Sequence, residues 1–388
     1  MHTAARYLIL VLVVVFALHS ILSFTHEGYG EATSLSKIAS KIPWGNKEYP
    51  IPGADIAVGG PVSSPTTGTA ASPLERRANA TILMLARNSD VDSAIRSVRE
   101  LEDKFNSKFQ YPWTFLNEEP FSDEFKTRVS NVISGPVEFG LIPREHWYQP
   151  EWVDEAKATA GRDKMVQDNI IYGGSVSYRN MCRFNSGFFF RHPIVERYRW
   201  YWRVEPDVHF HCDTSYDPFL YMEDNNKVYG FTITMYEYHA TIPSLWDTVK
   251  KFTAENPQYV VEGNAMNYMS DDGGKSYNLC HFWSNFEIAD MDFWRSEAYM
   301  KYFEYLDQTG GFYYERWGDA PVHSIGAALF AKKEQIHFFD DIGYEHNPYT
   351  HCPKGAGLWK HGHCSCNPER SFDYDGYSCM RQWDRIWQ

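Results

Sequence analysis

Apolar residues dominate one stretch near the start of this 388-residue chain. Residues 7–24 contain no Asp, Glu, Lys or Arg, and Arg6 precedes them. These eighteen residues would span roughly 27 Å as a helix, enough to cross the hydrocarbon core of a bilayer. The positive flank predicts a cytoplasmic tail at 1–6, a transmembrane signal-anchor at 7–24 and a lumenal remainder. A cleaved signal peptide is the alternative, but the apolar run is long for one and no Ala-x-Ala site follows it.

Periodicity is absent between residues 25 and 75, where Gly, Pro, Ser, Thr and Ala predominate. This composition predicts a flexible stem. We therefore expect the lumenal folded domain at 76–388. Near its start, Asn79-Ala80-Thr81 is an N-glycosylation sequon, which makes Asn79 a candidate glycosylation site.

The folded part opens with a strand, helix, strand pattern. An apolar run at 80–86 is followed by apolar residues at helical spacing through 91–105 and by a second apolar run at 111–116. This βαβ order predicts an α/β fold whose parallel sheet is covered on both faces. Similar patterns predict strands near 198–204, 228–235, 281–288 and 335–339, and helices near 244–255, 297–306 and 321–332. The chain contains neither Gly-x-Gly-x-x-Gly nor a P-loop, so those nucleotide-binding motifs are excluded.

Composition narrows the class of protein. The chain has 37 Lys and Arg against 50 Asp and Glu, which gives a net charge of −13 and speaks against binding to nucleic acid. Aromatic residues make up 16% of the chain although the mean hydropathy is −0.48. We therefore expect many aromatic rings on half-exposed surfaces, where sugars could stack on them.

All seven cysteines lie at or beyond Cys182. Behind a secretory anchor they predict disulfides, and the odd number leaves at least one thiol unpaired or intermolecular. Zinc is the alternative for Cys364 and Cys366, because His361 and His363 are near. That spacing matches no standard zinc finger, so disulfides are favoured.

The most informative motif is Glu205-Pro206-Asp207, directly after the predicted strand at 198–204. Proline ends the strand, and the two carboxylates fall at the carboxyl edge of the sheet, where α/β proteins bind ligands. Such oxygen ligands suit Mg²⁺ or Mn²⁺ bridging a substrate diphosphate. A solvated turn is the alternative, and the mostly aromatic and apolar strand before the motif favours function.

A second cluster occupies the predicted strand 281–288. Alternation divides it into a face with Phe282, Ser284 and Phe286 and a face with His281, Trp283, Asn285 and Glu287. The second face combines an indole suited to stacking on a sugar with amide and carboxylate groups. A half-buried strand with Glu287 at its rim is an equally good interpretation.

Four more residues are candidates for the same site. His346 follows a strand and an acidic pair and could be a third metal ligand, although a lone histidine is more often a surface residue. Tyr178 and Arg183 could bring a hydroxyl and a guanidinium to a diphosphate, or lie on a surface turn. Asp319 precedes a predicted helix, where it could serve only as a favourable contact with the helix dipole.

Several of these segments, in the same order, resemble a known family. The segments are 201–207 (Tyr-Trp-Arg-Val-Glu-Pro-Asp), 280–288, 314–324, 336–340 and 349–353. They closely resemble the fungal Golgi α-1,2-mannosyltransferases of glycosyltransferase family 15, and the likeness covers roughly 76–388.

The resemblance implies a GT-A type, Rossmann-like domain behind a single anchor, in a type II Golgi membrane protein. It implies transfer of mannose from GDP-mannose to an α-mannoside glycan acceptor with retention, using Mn²⁺. By the same resemblance, Glu205 and Asp207 replace an Asp-x-Asp motif and His346 coordinates the metal. Tyr178 would lie near the reacting centre of the donor, and Glu287 would be the nucleophile. Arg183, Trp283, Asn285 and Asp319 complete the expected donor and substrate site.

The sequence leaves the mechanism and the acceptor open. Retention allows a covalent intermediate on Glu287 or attack by the acceptor hydroxyl on the same face, and the acceptor could be an O-glycan, an N-glycan or a mannosylated lipid. Two rivals remain: a retaining glycosidase that uses Glu205 and Glu287, and a catalytically inactive family member that binds mannan.

Overall fold

The computed structural model of the chain describes residues 76–388. The predicted tail, anchor and stem at 1–75 lie outside the described residues. Within 76–388, no helix is both long and apolar enough to cross a membrane.

Strands and helices alternate along the described residues. The strands are β1 (Ala80–Leu85), β2 (Trp113–Asn117), β3 (Val137–Leu141), β4 (Trp200–Arg203), β5 (Val208–Phe210), β6 (Tyr229–Phe231), β7 (Thr234–Tyr236), β8 (Cys280–Phe282), β9 (Glu287–Asp290), β10 (Ile336–Phe338), β11 (Tyr344–His346) and β12 (Tyr349–His351). The α-helices of four or more residues are α1 (Val91–Leu101), α2 (Asp123–Ser130), α3 (Arg144–Trp147), α4 (Glu155–Gln167), α5 (Val176–Gly187), α6 (Pro218–Asp224), α7 (Leu245–Glu255), α8 (Met266–Met269), α9 (Met291–Trp294), α10 (Glu297–Gln308), α11 (Gly311–Tyr314), α12 (Asp319–Phe330), α13 (Ala356–His361) and α14 (Met380–Arg385).

A seven-stranded sheet forms the centre of the described residues, with the order β10-β6-β9-β4-β1-β2-β3. The predicted βαβ opening is confirmed, because β1 pairs in parallel with β2 through α1. Strand β9 departs from the all-parallel expectation and runs antiparallel to both β4 and β6. A three-stranded sheet, β12-β11-β5, and the β7-β8 pair complete the strands.

Both faces of the large sheet are covered, as predicted. Alternate residues of one strand belong to different cores: Ile82 and Met84 pack on one side, and Leu83 packs on the other. The same holds for β4, where Trp202 and Tyr201 face opposite cores. This is the pattern of a strand buried on both faces.

The prediction of one continuous strand at 281–288 is wrong. Residues 283–286 form a turn between β8 and β9, and these two strands belong to different sheets. The alternation of aromatic and polar residues is typical of a strand, but here it continues through the turn. Consequently Trp283, Asn285 and Glu287 do not share one face.

The expectation that aromatic rings lie on half-exposed surfaces is also wrong for many of them. The largest completely buried side chains include Trp113, Trp200, Trp202, Trp294 and Trp317. Rings pack mostly edge to face or tilted, as for Trp294 against Tyr299, whose centroids are 4.6 Å apart. The low mean hydropathy therefore reflects polar groups elsewhere in the chain.

The expected disulfides are confirmed among the described residues. The pairs are Cys212–Cys364, Cys280–Cys379 and Cys352–Cys366, and Cys182 is a buried free thiol. Because Cys364 and Cys366 are both oxidised, the zinc alternative for them is excluded.

Candidate functional site

Polar residues gather where the parallel strands of the large sheet end. Arg87 follows β1 closely, Asn117 ends β2 and Glu205 follows β4. Because β9 pairs with β4 in the opposite direction, with Glu287 opposite Arg203, β9 begins at the same edge. A crevice outside the carboxyl ends of such strands is the usual ligand site of an α/β sheet.

The two carboxylates of the Glu205-Pro206-Asp207 motif point to different partners. Glu205 Oε1 accepts a hydrogen bond from Arg203 Nη2 at 2.5 Å, and its side chain is 28% exposed. Asp207 has a left-handed backbone, with φ +68°, and its Oδ1 accepts from Arg96 Nη2 on α1 at 2.6 Å. Left-handed backbone breaks the alternation of the strand, so the two carboxylates diverge.

His346 ends β11 beside this motif. It lies opposite Val208 in the antiparallel β5–β11 pair and is therefore next to Asp207 across the ladder. Its Nδ1 accepts from Asn285 Nδ2 at 2.6 Å, and its ring stacks on Trp283 with centroids 5.0 Å apart. The turn between β8 and β9 thus brings Trp283 and Asn285 to the predicted metal ligand.

A metal site at these residues stays a prediction. Among residues 76–388, no group of three or more His, Cys, Asp or Glu side chains is arranged to hold a metal ion. The donor types of Glu205, Asp207 and His346 fit Mn²⁺, which accepts carboxylate and imidazole ligands. Each of the three has an arginine or amide partner on one atom, Glu205 Oε1, Asp207 Oδ1 and His346 Nδ1, which leaves the second oxygen or nitrogen of each group available to a metal ion.

Glu287 is the centre of a buried hydrogen-bond network. Its carboxylate is completely buried, and its Oε2 accepts from the Tyr201 hydroxyl at 2.6 Å. Its Oε1 accepts from the Tyr229 hydroxyl at 3.0 Å and lies 2.7 Å from His323 Nδ1. Both oxygens of this carboxylate are therefore bonded, and neither is exposed to solvent.

Arg203 joins two carboxylates at the edge of the sheet. Its Nη1 donates to Asp319 Oδ2 at 2.6 Å, while Nη2 donates to Glu205, and Ser284 Oγ also donates to Asp319 Oδ2 at 2.8 Å. Burial alone would raise the pKa of Asp319, but the charge and hydrogen bond of Arg203, together with smaller contributions from His323 and Ser284, outweigh it and lower that pKa below its usual value. Asp319 is therefore ionised at neutral pH, and the first turn of α12 is fixed to β4.

Tyr178 lies in the first turn of α5, where Ser175 Oγ caps the helix by accepting from the Tyr178 backbone N–H at 3.1 Å. Its ring is stacked on Tyr172, with centroids 4.6 Å apart, and the Arg316 guanidinium lies 5.0 Å from its centroid. The neighbouring Cys182 and burial raise the pKa of the Tyr178 hydroxyl well above its usual value. The hydroxyl therefore stays protonated and can donate a hydrogen bond.

The structure does not leave Arg183 free for a diphosphate. Its Nε and Nη2 donate to the two oxygens of Asp307 at 2.7 and 2.8 Å, and its guanidinium covers the ring of Phe188. This bidentate pair neutralises the Arg183 charge. The Arg183–Asp307 ion pair therefore links helices α5 and α10.

The predicted glycosylation site, Asn79, lies just before β1. Asn79 is exposed, and its Nδ2 donates to the Arg197 carbonyl at 2.8 Å. Thr81, the third residue of the sequon, is completely buried in β1. Glycosylation of Asn79 stays a prediction.

Several residues of the site were missed by sequence reasoning. No role was predicted for Tyr201, Arg203, Ser284 and His323, although all four lie inside motifs already noted. The sequence does indicate a role for Arg203, because this residue lies two positions before Glu205 and can form an ion pair with it. The contacts of Tyr201 and His323 with Glu287 depend on tertiary packing, which a single sequence does not display.

Comparison with known sequences identifies a related family. The sequence profile of the family described as "Glycolipid 2-alpha-mannosyltransferase" matches residues 57–387. Glycolipid 2-alpha-mannosyltransferase 2 of Candida albicans is 57% identical to this chain over 307 residues, which cover 79% of this chain and 67% of that protein.

Solved structures show the same relationship. The mannosyltransferase Ktr4p from S. cerevisiae, solved in complex with GDP, superposes with a TM-score of 0.78 at 42% identity, over 84% of this chain and 87% of that chain. Core-mannan synthase A from Aspergillus fumigatus, solved in a Mn/GDP form, superposes with a TM-score of 0.76 at 40% identity, over 84% and 92% of the two chains. The described residues therefore share the mixed α/β fold of these two proteins.

Proposed function

Because this chain belongs to the glycolipid 2-alpha-mannosyltransferase family and is a mannosyltransferase, we propose that it transfers mannose from GDP-mannose to the 2-hydroxyl of an α-mannoside with retention. The observation that carries the proposal is the fold shared with two proteins solved with GDP, at 42% and 40% identity. We assign the fold to the GT-A type, with the nucleotide-sugar in the crevice at the carboxyl edge of the large sheet.

The donor site includes a divalent cation in this proposal. Glu205 and His346, helped by Asp207, would hold Mn²⁺, and the Mn/GDP form of core-mannan synthase A supports that choice of metal. When bound, the cation neutralises the diphosphate and stabilises the departing GDP. A domain that carries most of the net charge of −13 needs such a cation to hold an anionic donor.

Of the two retaining routes, attack on the same face is favoured. A nucleophile must approach the anomeric carbon to about 3–3.5 Å. Glu287 is completely buried and bonded to Tyr201, Tyr229 and His323, so it could act as a nucleophile only after breaking these contacts. In the proposed route Tyr178 donates a hydrogen bond near the leaving group, and Glu287 fixes the strands on which the site is built.

The acceptor and the cellular setting belong to the same proposal. The names of the relatives mention glycolipid and core mannan, so we propose a mannosylated lipid or an O- or N-linked glycan as acceptor. We also propose a type II Golgi membrane protein whose catalytic domain at 76–388 follows an anchor at 7–24 and a stem at 25–75.

The test uses the full-length protein in detergent with GDP-mannose, Mn²⁺ and α-methyl mannoside. We expect an α-1,2-linked disaccharide, identified by NMR, whose formation EDTA stops. Glu205→Gln is the matched variant, and it should lose most of the turnover. Absence of product with and without metal, while mannan still binds, would instead indicate a catalytically inactive mannan-binding protein. Release of mannose from a mannobiose without nucleotide would indicate a glycosidase.

A further inference from the structure

Four arginines are buried among the described residues: Arg179, Arg183, Arg203 and Arg316. Three of them have oxygen partners. Arg179 donates to the carbonyls of Glu315 and Ser175, Arg183 to Asp307, and Arg203 to Asp319 and Glu205.

Arg316 is different, because within residues 76–388 its guanidinium contacts the Tyr178 ring and has no oxygen partner. Arg316 is only 7% exposed, and its Nε is buried without a hydrogen-bond partner. Within residues 76–388, its guanidinium forms neither an ion pair nor a hydrogen bond that meets ordinary distance and angle limits. Burying a charge without an oppositely charged partner is costly, and a bound anion would offset that cost.

The surroundings of Arg316 place it beside Tyr178, a residue of the candidate site. Its guanidinium lies 5.0 Å from the centroid of the Tyr178 ring, and its backbone N–H donates to the Thr241 carbonyl at 3.0 Å, which fixes its position. Arg316 also lies three residues before Asp319, which Arg203 ties to the edge of the sheet. The Arg316 guanidinium therefore lies against Tyr178, and its chain position leads directly into the helix that carries Asp319.

Neighbouring arginines concentrate positive charge here. Burial, then the charges of Arg316 and Arg162, lowers the pKa of Arg179 to about 10. Burial is the largest cause, and the contribution of the Arg316 charge means that Arg179 and Arg316 are near each other. A bound anion relieves this repulsion.

We propose that Arg316 is a donor-binding residue whose guanidinium binds the distal phosphate of the GDP moiety. This rests on the proposed function. The distal phosphate carries the mannose, and it is the phosphate nearest the reacting bond, where Tyr178 is placed by family resemblance. The same contact holds the negative charge that develops on GDP as the glycosidic bond to phosphate breaks and the acceptor oxygen bonds to the anomeric carbon. The acceptor proton leaves with the departing GDP.

The experiment compares GDP with GMP, which lacks the distal phosphate, by calorimetry on the full-length protein with Mn²⁺. For Arg316→Gln we expect GDP affinity to fall about 10- to 100-fold, the range for a lost charge-assisted hydrogen bond, while GMP affinity changes less than threefold. Arg316→Lys keeps the charge without the planar fork and should lose less affinity for GDP.

Thermal unfolding without ligand separates binding from a structural role. Arg316→Gln removes an unpaired buried charge, so its Tm should equal or exceed that of the wild type, and GDP should raise it less. Arg295→Gln is the control, because Arg295 donates to the carbonyls of Phe190, Tyr198 and Val195 away from the crevice. That variant should lose Tm and keep the wild-type ratio of GDP to GMP affinity.

Equal losses of GDP and GMP affinity in Arg316→Gln, or GDP binding within twofold of wild type in both Arg316 variants, would overturn the assignment. A lower Tm for ligand-free Arg316→Gln with unchanged GDP affinity would also overturn it, in favour of structural support for Tyr178. Failure of the wild type to bind GDP would instead contradict the proposed function.

Discussion

Buried charges at the candidate site are held by specific side chains rather than by solvent. Arg203 lies between Asp319 and Glu205, and Glu287 lies among Tyr201, Tyr229 and His323. In both networks the loss of one partner leaves a buried polar group unsatisfied, which is costly. Function and stability are therefore coupled at these residues.

Glu287→Gln separates the two roles suggested for Glu287. If its carboxylate anchors the hydrogen bonds of the core, the amide places two hydrogens where donors now point, and the free energy of unfolding should fall by about 2–4 kcal/mol. Thermal denaturation and kcat measure both effects. Tyr229→Phe is the matched control, because it removes one donor and keeps the carboxylate. A Glu287→Gln protein with wild-type Tm and kcat reduced more than about a thousandfold would restore the nucleophile assignment.

Sequence patterns found these residues but not their contacts. Glu205, His346 and Asp319 were recognised as candidates, and the structure brings Asp319 and Glu205 to one arginine. The completely buried position of Glu287 was not predictable, because its partners Tyr229 and His323 come from distant parts of the chain. A single sequence does not show which polar groups meet in a core.

Short elements and the turns between them shape the site. The turn at 283–286 carries Ser284 to Asp319 and Asn285 to His346. The βαβ opening was predictable because its apolar runs are long and regular, whereas strands of three residues leave little periodicity. Pattern alone therefore merged β8 and β9 into one strand.

Helix α5, which carries Tyr178 at its start, ends in a close contact with α10. A Cβ added to Gly187 would lie 2.1 Å from the ring of Phe303. Gly187→Ala should therefore lower the free energy of unfolding by about 1–3 kcal/mol, as overpacking does. Gly376→Ala is the control, since nothing lies within 4 Å of its added Cβ. Urea titrations of the two variants give the comparison, and equal midpoints would show that α5 can shift freely.

Across the described residues, several buried or half-buried histidines have a lowered pKa. Burial lowers the pKa of His146 and His281, and burial followed by the Lys227 charge lowers that of His337 to about 4. The unfolded chain, with histidine pKa values near 6.5, binds these protons at a higher pH than the folded protein does. Their neutral form therefore stabilises the fold fully above about pH 6.5, and this stabilisation is lost as the pH falls toward 4.

Thermal unfolding measured from pH 7.5 to 4.5 tests this effect. The Tm should decrease as the pH is lowered below about 6.5. His337→Gln should make this decrease less steep, because the variant lacks one of the groups that bind a proton on unfolding. His361→Gln, at an exposed histidine, should leave the slope unchanged. If Tm falls with pH equally in His337→Gln and the wild type, the folded protein does not lower the pKa of His337.

The disulfides impose an order on the synthesis of the chain. Cys280 is made 99 residues before Cys379, and Cys212 is made 152 residues before Cys364. At translation rates of about 5–20 residues per second, the shorter interval lasts roughly 5–20 s. In an oxidising compartment, Cys212 and Cys280 could react with each other before Cys364 and Cys379 are made. A Cys212–Cys280 bond formed in that interval must be exchanged before the native pairs can form, so the yield of native protein should rise with the supply of disulfide isomerase.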